Sequence, residues 1–431
     1  MKDFKVLEEK AIAFFACSVV PFLSFSIFFA DLICTLLSIF FLFYIIKKNH
    51  FIFYKNIFFL ISLLFYFLSL FSSFLSEEIL FSLKSSLPFI RIIIFIFLIS
   101  FLIENNKFFL KFFYNFLKYT FLILVIYGLG QYIYEYYILL LNNTTHISYV
   151  RLALPFSDEE KLGSYLVRLY GLLIAVYILK KNYKKSENIF LIFLTLFTSV
   201  VILLSGERNS FFFLILFLTI CIFFIKINLK FKITFIFSIL IIFLLIFFQN
   251  TSVSNRILFD KNNKLNFTSN VNEIIIFTPQ HTAHYLSGYK MFLDKPFIGQ
   301  GPRMFRILCN DQKFNVKLKI KDIKKPYDSC SSHPHSTYIQ LLAETGIIGA
   351  FLFSLGFFHI VYFFLKQLLL RIIFKKKNNI NNYQVIISSS ALLVFWPFSP
   401  SGNFFNNWIL IINALIIGFY VNEFFKYKNY K

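Results

Sequence analysis

Apolar residues in this chain run in long uninterrupted blocks, near 10–26, 29–46, 56–74, 86–103, 118–140, 163–180, 189–206, 209–225, 232–249, 336–366, 384–398 and 405–425. Stretches such as IFLIFLTLFTSVVILLSG (189–206) and ITFIFSILIIFLLIFF (233–248) carry no charge. Both stretches come close to the roughly 20 residues that an α-helix needs to cross the hydrocarbon core of a bilayer. The pattern predicts an all-α polytopic membrane protein with about twelve transmembrane helices, the first two parted only by a tight turn around Asp31. No cleavable leader is expected, because the first apolar run lacks a small-residue cleavage site.

Composition agrees. Of 431 residues, 58% are hydrophobic and 66 are Phe, and the mean hydropathy is +0.71. The excess of Phe, Ile, Lys and Asn reads as codon bias in an AT-rich genome and carries no functional content. A net charge of +22 invites a nucleic-acid partner, but the lysines have a simpler role. With the N-terminus in the cytoplasm, alternate loops hold Lys47, Lys48 and Lys55; Lys107, Lys111 and Lys118; Lys180, Lys181, Lys184 and Lys185; and Lys226, Lys230 and Lys232. The last inner loop holds Arg371 and Lys375 to Lys377, and the tail holds Lys426, Lys428 and Lys431. This bias places both termini inside and makes the bilayer, not nucleic acid, the partner.

One connection is long. Residues 250–335 hold ten Lys, three Arg and six acidic residues and are expected outside, since loops of this length escape the positive-inside rule. A short helix over HTAHYLSGYKMFL (281–293) is expected to lie on the membrane surface. The chain thus divides into 1–249 with about nine helices, the large outer loop 250–335, and 336–431 with about three helices.

Four unusual stretches fall on that outer face: RLALPFSDEEKLGSYLVRLY (151–170), SGERNS (205–210), the loop ending in SSHPHS (331–336), and WPFSPSGNFFNN (396–407). Of eight Arg, five (Arg151, Arg208, Arg256, Arg303, Arg306) lie there. Arginine's planar donor fork suits phosphate oxygens, with ordinary surface arginine as the alternative. Arg208 occupies a turn of a few residues between two spans, where a charge stays at the interface or faces a polar cavity.

In CSSHPHSTYIQLLAETG (330–346), Pro334 suits the first position of a helix, which would put His335 in its first turn. A helix N-terminus disfavours imidazolium, so His335 is expected to be neutral and able to accept a proton near pH 7. Such a base beside an anion-binding helix end suits activation of a hydroxyl that attacks a sugar–diphosphate bond. A histidine bonded to a loop carbonyl is the bland alternative. A metal held by His333, His335 and Cys330 lacks partners to complete a site, so no metal or other cofactor is expected. Glu344 lies nine residues further, about 13 Å along a helix at 1.5 Å per residue, and needs a partner there; Gln340 precedes it by one turn. Gly346 and Ala350 read as a small-xxx-small contact between helices. Cys17, Cys34 and Cys221 read as small buried hydrophobes. Cys309 and Cys330 share the outer loop, where a disulfide between them is expected, worth about 3 kcal/mol in the chain-entropy model.

At these residues the sequence resembles the O-antigen ligase family, which shares a superfamily with O-antigen polymerases and some bacterial protein oligosaccharyltransferases. RLALPFSDEEKLGSYL is similar to its Arg…Phe-Gly-Asp-Glu…Gly-Ser-Tyr element, and SGERNS to its Ser-Gly-x-Arg turn. YKMFLDKPFIGQGPRMFRILC resembles its Asp-x-Pro…Gly-x-Gly segment, and CSSHPHSTYIQLLAETGIIG its Cys-Ser-Thr-His-Pro-His-Asn-x-Tyr…Glu-x-Gly motif, with Ser336 in place of Asn. Pro155 stands where a glycine is usual. The resemblance implies an inner-membrane, multi-pass enzyme similar to C-type glycosyltransferases. Its active face would be periplasmic, and it would need no metal. Such an enzyme moves a glycan from undecaprenyl diphosphate to an acceptor, which for a ligase is lipid A–core. It implies that His335 activates the acceptor hydroxyl and Arg208 holds the diphosphate. Arg303 is a candidate second phosphate contact, Arg256, Arg151 and His333 are further substrate-binding candidates, and Glu344 is structural or orienting. A polymerase joining repeat units is the alternative enzyme. A transporter or flippase for the same lipid-linked glycan fits less well, since the polar residues crowd one face and no internal repeat is visible.

Overall fold

The structure, a computed structural model, describes residues 2–48, 55–141, 152–153, 155–156, 161–180, 184–228, 277–318, 326–373 and 380–425, with scattered positions between 230 and 244. Among these, eight helices have the length and apolar composition to cross a membrane: Ile27–Lys48, Ile57–Phe74, Ile79–Asn105, Phe109–Glu135, Leu162–Lys180, Lys185–Leu204, Thr337–Ile372 and Asn407–Phe424. Two shorter apolar helices, Arg208–Phe224 and Asn382–Phe395, occupy two more of the expected spans. Lys2–Phe25 covers the first expected span but carries charged residues through its opening turns. The expected ninth span, near 232–249, lies largely outside the described residues. Helices dominate for a physical reason: lipid offers no hydrogen bonds, so each backbone group needs a partner within its own segment. The ends are closed by side chains, as where Asn56 accepts from the backbone N–H groups of Phe58 and Phe59, and Asn406 from that of Trp408.

The chain forms two compact units, one comprising Met1–Ile33, Ile99–Lys264 and Gln367–Val394, the other Cys34–Leu98, Leu265–Lys366 and Phe395–Lys431. In the first, helix Leu162–Lys180 is almost wholly buried. Its Tyr165 hydroxyl donates to the Val20 carbonyl at 2.6 Å, and Gly171 leaves room for Ser390 and Phe217, which a Cβ there would strike.

The second unit centres on a break in a span. Thr337–Ile372 is helical on both sides of Gly346, which takes φ 68° and ψ −172°. The freed backbone groups are taken up by the turn KPFIGQG (295–301). Gln300 N–H donates to Ala343 O (2.9 Å), Gly301 N–H to Glu344 O (2.9 Å), and Ile347 N–H to Pro296 O (2.8 Å); Ser72 Oγ also donates to Glu344 O (3.0 Å). Two main chains can approach this closely only where side chains are missing. A Cβ on Gly299 would collide with the backbone of Glu344 to Gly346, and one on Gly346 with that of Phe297 and Ile298. Gly346 therefore does not form a small-residue stripe with Ala350, as the spacing suggested. It is the point where the helix opens to receive the turn.

Beside this break sits a small core of Met291, Met304, Phe305, Leu308, Cys309, Phe314 and Ala343, which anchors the long loop to the span through Ala343. Cys309 and Cys330 are joined by a disulfide, their Cα atoms 4.9 Å apart, and the segments Lys317–Leu318 and Tyr327–Asp328 pair antiparallel. A 16-residue helix, Pro279–Asp294, opens this region, with Thr278 as N-cap and Pro279 at its first turn.

Gly346→Ala should therefore destabilise the protein by about 3 kcal/mol or more, combining left-handed strain with overpacking. Gly130→Ala, in a helix where nothing lies within 4 Å of the new Cβ, should be neutral or slightly stabilising. Apparent melting temperatures of the detergent-purified variants check this; equal values for the two would contradict the backbone contact.

Candidate active site

Four of the seven histidines of the chain converge in the second unit. His281 and His284 stand on helix Pro279–Asp294, and His333 and His335 on the loop before Thr337–Ile372. The His335 ring lies 4.2 Å from His333 and 5.0 Å from His284, centroid to centroid, and 5.3 Å from His281. Residues 281, 284, 285 and 288 follow the spacing of one helix face, and that face receives the loop. Tyr285 OH donates to His335 O (3.4 Å), and a Cβ on Gly288 would meet Ile339 and Pro334. Among the described residues, no group of three or more His, Cys, Asp or Glu is placed to hold a metal ion.

The helix does not begin where the sequence suggested. Its first residue is Thr337. Ser336 is the cap: its carbonyl accepts from Gln340 N–H (2.9 Å) and its hydroxyl from Ile339 N–H (3.5 Å). Pro334 and His335 therefore precede the helix, and His335 adopts a left-handed φ of 56°. Its carbonyl accepts from Ser401 N–H (2.9 Å), so the backbone is pinned while the ring is left free. Neither ring nitrogen of His335 makes a hydrogen bond among the described residues, and the ring is half-buried. His335 is still neutral, but from a different cause. Burial, followed by the neighbouring His281, lowers its pKa to about 4. His333 falls to about 3, mainly by burial and then by His335. His284 falls to about 4 for the same two reasons, and burial also lowers His281.

The loop 399–406 ties this cluster to the broken span. His333 Nε2 donates to Ser401 O (3.2 Å) and its Nδ1 accepts from Ser332 Oγ (2.8 Å). Thr337 Oγ1 bonds Ser401 Oγ (2.8 Å). Gln340 Nε2 donates both to Asn403 Oδ1 and to Glu344 Oε2, each at 2.9 Å, while its Oε1 accepts from Phe404 N–H (2.8 Å). Glu344 is 1% exposed and also accepts from the N–H groups of Phe305 (3.3 Å) and Arg303. These donors offset part of the cost of burying the carboxyl group, and it holds the turn carrying Arg303. Arg303 has φ 62°, is half-buried, donates to Ser85 Oγ (3.4 Å) and keeps a buried Nε without a partner. Burial, then Arg306, lowers its pKa, while Glu344 opposes the shift.

Arg208 belongs to the first unit, as the first residue of its helix, and is exposed. Its neighbour Glu207 locks the turn. The Glu207 carboxylate accepts from Gly163 N–H (2.6 Å), Ser164 N–H (3.0 Å), Ser164 Oγ (2.6 Å) and Ser210 Oγ (2.8 Å), an anion at the N-terminus of helix Leu162–Lys180. A Cβ on Gly163 would collide with Glu207. The Gly-Ser-Tyr and Ser-Gly-x-Arg elements are thus two sides of one joint. Burial raises the Glu207 pKa, against the lowering effect of these bonds. Arg151 and Arg256 lie outside the described residues.

His281, His284 and Glu207 went unassigned in the sequence. The histidines carry a signal in H-x-x-H-Y-x-x-G, one helix face that is polar and small; Glu207 carries none, because its partners Gly163 and Ser164 are distant in the chain.

Comparison with known families bears on these residues. Residues 192–354 match the family model described as O-antigen ligase, the family that the motifs resemble. The match takes in Arg208, all four clustered histidines and Glu344. The match supports a function of the O-antigen ligase or polymerase type in general. No curated protein matches the chain.

Glu344→Gln should lower stability by about 2–4 kcal/mol, because its new amide sets hydrogen against hydrogen at Gln340 or at the Arg303 and Phe305 N–H groups. Thermal unfolding of the purified variant measures this, and an unchanged transition would contradict the network.

Proposed function

We propose that this O-antigen ligase family chain moves a polysaccharide from undecaprenyl diphosphate to lipid A–core at the periplasmic face of the inner membrane. In this reading about twelve crossings place both termini in the cytoplasm, with the loop 250–335 outside between membrane regions 1–249 and 336–431. What supports it most is the free imidazole of His335: a neutral, half-buried ring with its backbone clamped and both nitrogens open, inside a family-matched segment.

A His335 nitrogen takes the proton of the acceptor hydroxyl as that oxygen bonds the anomeric carbon. The carbon–oxygen bond to the diphosphate breaks, and the electron pair leaves on the carrier diphosphate, which needs no proton to depart. Water then takes the proton from His335. The diphosphate charge is met by guanidinium groups, Arg303 in the unit that holds His335 and Arg208 by its match to the family turn, with Arg151, Arg256 and His333 as further contacts. Glu344, Gln340 and the Cys309–Cys330 disulfide act by holding the loop. A pKa near 4 makes the empty-site imidazole a weak base, but the anionic donor beside it favours imidazolium and raises its proton affinity on binding.

A polymerase that joins repeat units would use the same groups, and deletion separates the two. Loss of a ligase leaves polymer on the carrier and bare core, whereas loss of a polymerase leaves single units on the core.

In proteoliposomes, His335→Ala should cut transfer by on the order of 10²–10⁴-fold while the protein still inserts and keeps its disulfide. Near-normal transfer would overturn the assignment. Because the base must be neutral and its free-enzyme pKa lies near 4, kcat/KM should hold as pH falls through 6.5 and drop only towards 4; an acid limb at 6.5 would contradict the burial effect.

A further inference from the structure

His284 is 2% exposed, yet its Nδ1 is buried with no hydrogen-bond partner, and the transfer chemistry above makes no use of it. Its proton can be placed. Gln280 Nε2 donates to Asp328 O (2.7 Å), and its other hydrogen faces His284 Nε2 at 2.8 Å. His284 Nε2 is therefore an acceptor, and the ring carries its hydrogen on Nδ1.

The ring then lies over His335 at 5.0 Å with 21° between planes. N–H bonds lie in the plane of an imidazole, so two stacked rings cannot hand a proton across. His281 meets His335 edge to face, at 62° and 5.3 Å between centroids. A neutral ring stacked on another instead offers its π face to any charge that forms there. Crowding also keeps the two rings from being charged together, since His335 depresses the pKa of His284.

We propose that His284 is a positioning residue for His335: a buried neutral platform, held in one tautomer by Gln280 and the Asp328 carbonyl, that fixes the reacting ring and stabilises its imidazolium as the acceptor hydroxyl gives up its proton. This rests on His335 as the base.

The test compares His284→Phe and His284→Leu in proteoliposomes, with His335→Ala assayed in parallel. Phe keeps a face for stacking, whereas Leu keeps bulk alone. Leu should lower kcat about tenfold, with the donor KM changed by less than about twofold, while Phe stays within about threefold of the parent, as a cation–π effect of this size implies. Leu and Phe behaving alike, whether active or inactive, would overturn the platform role. Full activity in His335→Ala would remove the base itself, and the platform with it.

Discussion

The second unit depends on one contact, main chain against main chain, where the Gly299–Gly301 turn enters the opened helix at Glu344–Gly346. Three backbone hydrogen bonds cross it, and they satisfy groups that the break in the helix would otherwise leave buried without partners. Nothing bulkier than hydrogen fits at Gly299 or Gly346. The polar loop is thereby fastened to the span itself, and the adjacent core of Met291, Met304, Phe305 and Leu308 needs only to hold the loop's shape.

Everything chemical in this unit hangs from that fastening. Glu344 reaches from the break to Gln340 and to the turn that presents Arg303. Gln340 reaches to Asn403, and the Ser401 loop clamps both His333 and the His335 backbone. The clamps bear on backbone and on the flanking imidazoles, so His335 alone in the cluster keeps both nitrogens open. Burial and crowding keep the rings neutral, the state from which the proposed base would start. The other unit solves a similar problem differently, with Glu207 spanning from one helix start to the next through four hydrogen bonds.

Much of this was legible in the chain. Uninterrupted apolar runs gave the helices, because lipid permits few alternatives, and Arg303, His333, His335 and Glu344 drew attention to segments that meet within the second unit. Cys309 and Cys330 could be paired from their shared loop. Three things were hidden. Gly346 looked like a packing glycine, since its true partner lies 47 residues upstream at Gly299 and only the fold brings them together. Pro334 looked like a helix start, but Ser336 caps the helix better. His281 and His284 stayed hidden in a segment read only as a short surface helix, because a face directed at another loop cannot be told from one directed at solvent by spacing alone.

The central claim is that the His335 imidazole, fixed by these contacts, works on a carrier-linked glycan beyond the cytoplasmic side of the membrane. Single-cysteine accessibility mapping at position 335, in intact cells and inverted vesicles, tests it most directly. The account predicts labelling by a membrane-impermeant thiol reagent from the outer face, with protection by carrier-linked glycan. Labelling only from the cytosolic face would contradict it.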